Sequence, residues 1–584
     1  MATVHAALLA WSGWRHSPCY DELGHLAAGV SHWELGRFDL YPVNPPLVRM
    51  VASVPVALAG SGFDWRYYND NPKARAQHQI GKVAFQADPE RTMLLLTIAR
   101  WACIPLSVLG GCVCYLFARD LYGSRAGVMA ACLWFFCPNV LGHGALVSPD
   151  VGAAAMGVTA LYLFWRWLGK TTWGWTLAAG AGLGGAELSK TTWIILFGVL
   201  PLVWIAARLS EEGVGSRFAR LRQESLKLAV ILLLGIFAIN AGYAFEGSFQ
   251  RLGQYEFHST AFGGAVKPQL GEFSGTNRYA GTWAADVPVP LPKNYVVGID
   301  FQKSDFERGM WSYLRGQWRQ HGWWYYYLYG LAIKVPLGTW TIVLLAAGAS
   351  LLSTRYRASW RDDLVVLTPA IALLVFVSAQ TSMTHNVRYV LPMFPFVFVW
   401  ASKVAGAFEV GWARNARSNP LAAGEGVRRH RVVAVAAAAA LAWAVTSSLT
   451  VYPHSLSYFN ELVGGPAGGP AHLLDSNIDW GQDLWYLNQW VEAHPEASPL
   501  RLTFHGTFDA RLPGVESAAP PPRPTPGWYA LSVTEIRSPS PSYEYFLRCR
   551  PVATAGYSIY VYHVTLDDAN RVRRELGLPK LPRP

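Results

Sequence analysis

Two adjacent carboxylates near the start of the chain are the side chains best suited to chemistry. Asp21 and Glu22 stand in the segment Tyr-Asp-Glu-Leu-Gly-His at 20–25, at the start of a predicted helix. A carboxylate can take the proton of an attacking hydroxyl group, so we predict that Asp21 is a general base. Glu22 is the second candidate residue of the catalytic site. Adjacent helix positions point in different directions, so Glu22 is expected to have a structural or positioning role and not to be the base. The alternative is that its side chain is simply solvated. For the pair, the alternative is that the two carboxylates only stabilise the helix by complementing the positive end of its dipole.

Charged residues at the ends of later apolar stretches are the second group of candidates. A charge inside or beside a membrane is costly unless it has a purpose, and cations there can stabilise an anionic group. The cations near outer helix ends that are predicted to bind substrate are Lys190, Lys334, His385 and Arg388. The alternatives are snorkelling for the lysines and Arg388, hydrogen bonding for His385, and helix capping for Asp150 after Ser148-Pro149.

The amino-acid composition indicates whether most of the chain is surrounded by water or by lipid. Of 584 residues, 52% are hydrophobic and 15% are charged, whereas soluble proteins carry about 25% charged residues. The expected class is therefore a polytopic membrane protein. A formal net charge of +11 is explained by basic loops on the cytoplasmic side, so no nucleic-acid partner is expected.

Ten apolar stretches have roughly the length of a membrane span, which is about 20 residues. They occupy 92–118, 126–142, 149–168, 172–188, 191–207, 227–245, 332–352, 364–380, 389–407 and 432–452. An eleventh run, 6–14, is too short to cross, so either the first helix is clipped or the chain begins at the outer surface. Alternate short loops are rich in Arg and Lys, which predicts that those loops are cytoplasmic. The basic residues are Arg119, Arg125, Arg166, Lys170, Arg217, Arg220, Arg222, Arg355, Arg357, Arg361, Arg414, Arg417, Arg428 and Arg429.

This orientation predicts five regions and a mainly α fold. The transmembrane regions are 92–245 and 332–452, and the extracytoplasmic regions are 1–91, 246–331 and 453–584. Within the first region, 46–60 is apolar but short and contains a proline, which indicates an interfacial or re-entrant helix. Alternating residues at 500–504, 528–533 and 558–564 predict strands, so the tail is expected to be a small α/β domain.

Two features of the extracytoplasmic parts leave alternatives open. The acidic stretch from Asp475 to Asp483 resembles a calcium loop, but its glycine falls one place late and Tyr486 stands where a bidentate Glu belongs. Its tryptophans are expected to pack rather than to stack on sugars. Cys19 and Cys549 could form a disulfide if both face an oxidising compartment.

Several motifs together resemble the protein O-mannosyltransferases and related GT-C glycosyltransferases of bacterial type. Asp21-Glu22 is followed by Asn-Pro-Pro-Leu at 44–47, and Arg49 occupies the place of a Lys that is frequent in that family. The resemblance implies that Arg49 binds substrate and that Asp150 is a second acidic residue beside the acceptor or a metal. The further motifs are Ser148-Pro149-Asp150, Lys190, the tyrosines at 325–327 leading into Lys334-Val335-Pro336-Leu337, and Arg388-Tyr389-Val390-Leu391-Pro392. The chain departs from the family in its missing or clipped first helix.

The resemblance implies a GT-C membrane glycosyltransferase of the cytoplasmic membrane. Such an enzyme would transfer a sugar, with mannose as one candidate, from a polyprenyl-phosphate donor to an extracytoplasmic protein, lipid or glycan. The lipid phosphate is already a good leaving group, so one carboxylate suffices and a single displacement inverts the anomeric carbon. The resemblance implies no cofactor with certainty, and it leaves open whether the reaction uses a divalent metal ion. The rival hypotheses are a transporter or flippase of a lipid-linked or small polar substrate, and an inactive scaffold.

Overall fold

The computed structural model describes most of the chain. The described residues are 1–71, 74–209, 214–264, 275–352, 356, 359–408, 420–507, 515–516, 518–540 and 542–583. Four arginines of the orientation argument, Arg355, Arg357, Arg414 and Arg417, lie outside these residues, as do the side chains of Arg217, Arg428 and Arg429.

The described residues of the first region form four α-helices before residue 89. They are α1 (Ala2–Arg15), α2 (Glu22–Glu34), α3 (Leu47–Leu58) and α4 (Ala76–Ala87). Helix α2 packs between α3 and α4, where Gly29 lies so close to α3 that a Cβ atom would come within 2.4 Å of a backbone oxygen. The apolar stretch at 46–60 is thus a 12-residue helix with Pro55 inside it, too short to span a bilayer.

The next region is a bundle of long apolar helices. It comprises α5 (Pro89–Tyr122), α6 (Ser124–Phe135), α7 (Pro138–His143), α8 (Pro149–Gly169), α9 (Trp173–Ser189), α10 (Leu196–Leu209) and α11 (Val214–Gly242). The predicted span at 126–142 is wrong as one continuous helix. The chain breaks between α6 and α7 because Pro138 has no amide hydrogen to continue the ladder and starts a new helix instead.

The large loop that follows contains helices and a β-hairpin in its described residues. Its elements are α12 (Thr260–Gly263), α13 (Lys293–Arg308), β1 (Ser312–Leu314) and β2 (Gln317–Arg319), with β1 and β2 antiparallel. The second helical bundle contains α14 (Tyr326–Lys334), α15 (Leu337–Leu352), α16 (Trp360–Ser378), α17 (Phe394–Ala401) and α18 (Pro420–Leu449). The predicted span at 332–352 is wrong as a straight helix, because α14 and α15 meet at Pro336 with a bend of 110°.

The tail is the expected small α/β domain. Its helices are α19 (Gly465–Gly468), α20 (Leu484–Ala493), α21 (Val533–Ile536) and α22 (Leu566–Glu575). Its strands are β3 (Leu500–Thr503), β4 (Val515–Glu516), β5 (Gly527–Ser532), β6 (Ala553–Ala555) and β7 (Ile559–Val564), in the sheet order β4-β3-β5-β7-β6. Strand β3 runs parallel to β4 and β5, and the other pairs are antiparallel.

Six helical segments of the described chain are long and apolar enough to cross a membrane, or seven if α14 and α15 count as one span. They are 89–122, 149–169, 191–209, 218–242, 387–408 and 430–449. The predicted spans at 172–188 and 364–380 fall on α9 and α16. The expected fold class, a mainly α membrane bundle with a small α/β tail, is confirmed.

The tail and the first region share one apolar core. Leu23 and Leu26 of α2 belong to the same buried cluster as Leu484 of α20, Leu500 of β3 and Val561 of β7. Because burial of apolar area is the main favourable term in folding, this shared core fixes the tail against the loop that carries Asp21. The tail is therefore part of the frame of the site below.

Candidate active site

A polar cavity opens where the first loop meets the ends of several membrane helices. Its free space is about 960 Å³, including the part that is open to solvent. Three carboxylates and three cations face it, so its formal charge is balanced. The charged lining residues are Asp21, Asp150, Asp305, Arg75, Lys190 and Arg388. Four of the residues predicted from sequence, Asp21, Asp150, Lys190 and Arg388, therefore lie in one cavity.

Arg388 is the centre of the charged network. Its Nη2 lies 3.3 Å from Asp21 Oδ2, and its Nη1 lies 3.2 Å from Asp150 Oδ2. Lys190 Nζ donates to the other oxygen of Asp150 at 2.7 Å. Lys190 is 6% exposed, so it is held by Asp150 rather than reaching out to the membrane surface. The guanidinium thus separates two carboxylates, and a phosphate entering here would meet both cations.

Two helix ends hold Asp150 and Lys190. Asp150 stands in the first turn of α8 after Ser148 and Pro149, and the Ser148 side chain makes no capping hydrogen bond to the helix. The carboxylate of Asp150 instead accepts from Lys190 and Arg388. The contacts of Asp150 are therefore those of an ion pair and not those of a helix cap.

The tail stretch 476–482 positions both Arg388 and Asp21. Arg388 Nε donates to Ser476 Oγ at 3.2 Å, and its guanidinium lies 4.3 Å from the ring centre of Trp480. The Tyr20 amide donates to the Trp480 carbonyl at 2.8 Å, one residue before Asp21. This stretch therefore ties the predicted base to the central cation.

Glu22 lies behind the cavity and not in its lining. It is fully buried and forms an ion pair with Arg100, whose Nε lies 2.9 Å from Glu22 Oε1. It also accepts hydrogen bonds from the amides of Cys19 at 2.8 Å and Val147 at 3.0 Å. Glu22 thus links the loop before Asp21 with the turn before Asp150, and the solvated alternative is wrong.

Arg49 is buried beneath the cavity wall. It donates to the carbonyls of Tyr41 at 2.7 Å and Asn44 at 2.6 Å, and to His32 Nε2 at 3.0 Å. Both Tyr41 and Asn44 line the cavity. Arg49 therefore shapes the wall from behind and does not face the space that a substrate would occupy.

Lys334 and His385 do not line the cavity either. Lys334 Nζ donates to the carbonyls of Leu456 at 2.9 Å and Asn477 at 2.5 Å, which fastens α14 to the tail. His385 Nε2 lies 3.2 Å from the hydroxyl of Tyr389, a cavity residue, and burial lowers the pKa of His385. Both residues support the site from outside.

Several cavity residues were missed by the sequence analysis. Arg75 Nη2 lies 2.7 Å from Asp305 Oδ2 on α13, and both residues line the cavity. His25 also faces the space, and burial lowers its pKa to about 3, so it is neutral near pH 7. Arg75 directly precedes α4 and Asp305 lies in α13, and neither residue belongs to a recognisable sequence motif. Their pairing is visible only in the folded structure.

The acidic tail stretch does not form a calcium loop. Asp479 Oδ2 accepts from the Thr534 amide at 3.2 Å, whereas Asp483 Oδ2 accepts from Ser558 Oγ at 2.9 Å. Asp475 faces His505, with 4.0 Å between Oδ1 and Nε2. The three carboxylates therefore face different partners, and Trp480 packs in the interior as expected.

Cys19 and Cys549, which could have formed a disulfide, are not paired. All seven cysteines are free thiols. Cys19 is buried with Leu146 and Leu456 beside Trp480, and Cys549 packs against a cluster in the tail that contains Tyr545 and Phe546. The two residues belong to separate parts of the core.

A family model and solved structures relate the chain to known proteins. Residues 95–240 match the model of the dolichyl-phosphate-mannose-protein mannosyltransferase family. The crystal structure of ArnT from Cupriavidus metallidurans bound to undecaprenyl phosphate is similar, with 15% identity, a TM-score of 0.45 and 96% of each chain covered. An Archaeoglobus fulgidus oligosaccharyltransferase tethered to an acceptor peptide has 12% identity and a TM-score of 0.41, over 76% of this chain and 55% of that one. No curated protein sequence matches.

The matched segment contains α8 with Asp150 and the loop with Lys190, two of the residues that carry the resemblance. It also contains Arg100, which holds Glu22. The match over residues 95–240 confirms the resemblance to the dolichyl-phosphate-mannose-protein mannosyltransferases, a family of GT-C glycosyltransferases, that the motifs predict.

Proposed function

We propose that this protein transfers a sugar from a polyprenyl-phosphate donor to an acceptor hydroxyl group in the cavity, with Asp21 as the base. One observation carries the proposal. Arg388 bridges Asp21 and Asp150, so a group that binds phosphate and a group that accepts protons are direct neighbours. The family match favours this reaction over transport.

The donor phosphate is assigned to Arg388 and Lys190. Planar guanidinium groups bind phosphate through two parallel hydrogen bonds, and Lys adds a point charge. Negative charge grows on the leaving phosphate as the glycosidic bond breaks, so cations fixed beforehand stabilise the transition state more than the ground state. When the phosphate takes over donors of Arg388, the Asp21 carboxylate is released to accept the proton of the acceptor.

The lipid tail is assigned to the apolar side of the cavity along α16. Phe376 and Val377 line the cavity. Phe376 is 38% exposed, and Val375 and Ile371 on the same helix are 63% and 57% exposed. These residues form an apolar face that leads from the mouth towards the membrane, where a prenyl chain needs no water.

The reaction is written as a single displacement at the anomeric carbon. The acceptor oxygen forms the new glycosidic bond, its proton goes to Asp21, and the bond to the lipid phosphate breaks with both electrons on the phosphate. The configuration of the sugar therefore inverts. Mannose is the first sugar to test because of the family description, at the extracytoplasmic face predicted from the basic loops.

The proposal is tested with the full chain reconstituted in liposomes that contain polyprenyl-phosphate mannose. The expected result is release of polyprenyl phosphate that requires the protein, and a product anomeric configuration opposite to that of the donor. Free polyprenyl phosphate should inhibit by competing for Arg388 and Lys190. Failure of all polyprenyl-phosphate sugars to bind or turn over would overturn the donor assignment.

A further inference from the structure

Three side chains from distant parts of the chain meet outside the cavity. They are His16 at the end of α1, His454 at the start of the tail, and Asp483 before α20. Each offers one ligand atom, and these atoms lie within 4.8 Å of one another. We propose that they bind a divalent transition-metal ion, such as zinc, that fastens the tail to the first loop. The site is separate from the proposed transfer reaction.

The spacing fits a metal ion after small side-chain adjustments. His454 Nδ1 lies 3.1 Å from Asp483 Oδ1, and His16 Nε2 lies 4.0 Å from the same oxygen. Two ligands of a tetrahedral zinc ion, each about 2.0 to 2.1 Å from the metal, are about 3.4 Å apart. The three ligand atoms, all within 4.8 Å of one another, are therefore close to the spacing that one ion requires.

The neighbours of these side chains orient them as metal ligands. His16 Nδ1 lies 2.9 Å from the carbonyl of Ser12, which places the proton on Nδ1 and leaves the lone pair of Nε2 free. Asp483 Oδ2 accepts from Ser558 Oγ at 2.9 Å and from the Ser558 amide at 3.2 Å. Oδ1 is thereby directed at the two histidines.

The burial of the Asp483 carboxylate is a further reason to expect a bound cation. Its side chain is 0% exposed, and within the described ranges no Lys or Arg lies at ion-pair distance from it. A buried carboxylate without a counter-charge is unfavourable. The basic neighbours of Asp483 in the described ranges are the two histidines, with His454 Nδ1 at 3.1 Å and His16 Nε2 at 4.0 Å from Oδ1. A divalent ion held by the two histidines and the carboxylate would place positive charge directly beside Asp483.

A small cavity beside the cluster leaves room for a fourth ligand. His16, Cys19 and Gln482 line it, together with Pro453 next to His454. Three protein ligands and one water complete a tetrahedral zinc shell. His16 is five positions before Asp21, and Asp483 directly follows the stretch 476–482 that holds Arg388. The ion would therefore fix the frame of the site without touching the substrate.

The experiment measures zinc in the purified full chain after dialysis against buffer with and without added zinc. Wild type is expected to retain about one zinc ion per chain, whereas His16→Gln and His454→Gln should retain less than about a tenth of that. The matched control is His494→Gln, because His494 stacks on Trp490 at the end of α20 and should not affect the zinc content.

Wild type loaded with cobalt provides a readout that does not depend on how the variants fold. We expect visible absorption bands of tetrahedral cobalt with histidine and carboxylate ligands. Absence of zinc and of these bands from wild type would overturn the proposal and assign the cluster to an ion pair between His454 and Asp483. Zinc that survives His454→Gln but is lost in Asp21→Asn would also overturn it, by placing the ion in the cavity.

Discussion

At the scale of single residues, Asp21 and Glu22 have different roles although they are adjacent. Asp21 faces the cavity, whereas Glu22 is paired with Arg100 beneath it. Sequence reasoning predicts the pair and separates the two roles by helix geometry. It could not supply the partner of Glu22, because Arg100 is 78 positions away in an apolar helix.

Glu22→Gln is predicted to destabilise the protein far more than Asp21→Asn does. Gln keeps the shape of the side chain but leaves the Arg100 guanidinium buried without a counter-charge, which costs about 3 to 5 kcal/mol. The measurement is thermal unfolding of the detergent-solubilised variants. Equal melting temperatures for Glu22→Gln and wild type would contradict the structural role.

Arg388→Ala is predicted to weaken donor binding and transfer together. It removes the group that faces the phosphate and leaves Asp21 and Asp150 without their shared cation, so KM for the donor should rise about tenfold or more and kcat should fall. Arg388→Lys should recover only part of the rate, because one ammonium group cannot bridge two carboxylates as a guanidinium does. Arg66→Ala is the control, since Arg66 is an exposed residue of the first loop.

Unchanged donor kinetics in Arg388→Ala would reduce this residue to a membrane-interface anchor. Folding of the variant is checked by its elution as a monodisperse species and by its melting temperature. The same pair of measurements on Lys190→Ala tests the second cation, whose carboxylate partner within the described part of the chain is Asp150.

At the scale of elements, the tail stretch 476–482 is a support for the site. The sequence shows an Asn-Ile-Asp-Trp-Gly-Gln-Asp pattern there, but its role follows only from the contacts with Tyr20 and Arg388. The strands of the tail and most helices of the bundle are predictable from periodicity. The sequence analysis missed the helix breaks at Pro138 and Pro336, because counting consecutive apolar residues does not detect a proline that interrupts a helix.

Asn477→Ala is predicted to lower kcat more than it raises KM. The Asn477 side chain accepts from the Val387 amide at 2.9 Å and donates to the His385 carbonyl at 2.9 Å, so it fixes the turn that presents Arg388. Its loss leaves these groups unpaired and misplaces the cation during transfer. A rate equal to that of wild type would show that the turn is held by other contacts.

At the scale of the whole molecule, the charged groups concentrate at one end of the bundle. Asp150, Lys190 and Arg388 stand at helix ends beside the first loop and the tail. Arg166, Lys170 and Arg361 line a second cavity at the other ends of these helices. The sequence predicts this division from loop charges, whereas the meeting of Arg75 with Asp305 depends on the folding of a large loop and leaves no local pattern.

Stability is predicted to fall as the pH drops from about 6.5 to 4, because two buried histidines stay neutral in the folded chain. Burial lowers the pKa of His5 to about 4 and that of His25 to about 3. Below the unfolded pKa of about 6.5, the unfolded chain binds protons that the folded chain does not. Each such proton costs about 1.4 kcal/mol per pH unit. Melting temperature measured across this range should decline, and His5→Gln should flatten the decline; a flat wild-type curve would contradict it.

The most direct test of the central claim is the transfer rate of Asp21→Asn with saturating polyprenyl-phosphate sugar. The control is Asp64→Asn, since Asp64 belongs to the first loop but lies outside the cavity lining. If Asp21 takes the proton of the acceptor, the rate should fall about 10² to 10⁴-fold while donor binding and melting temperature stay near wild type. A rate within about threefold of wild type would contradict the assignment of Asp21 as the base.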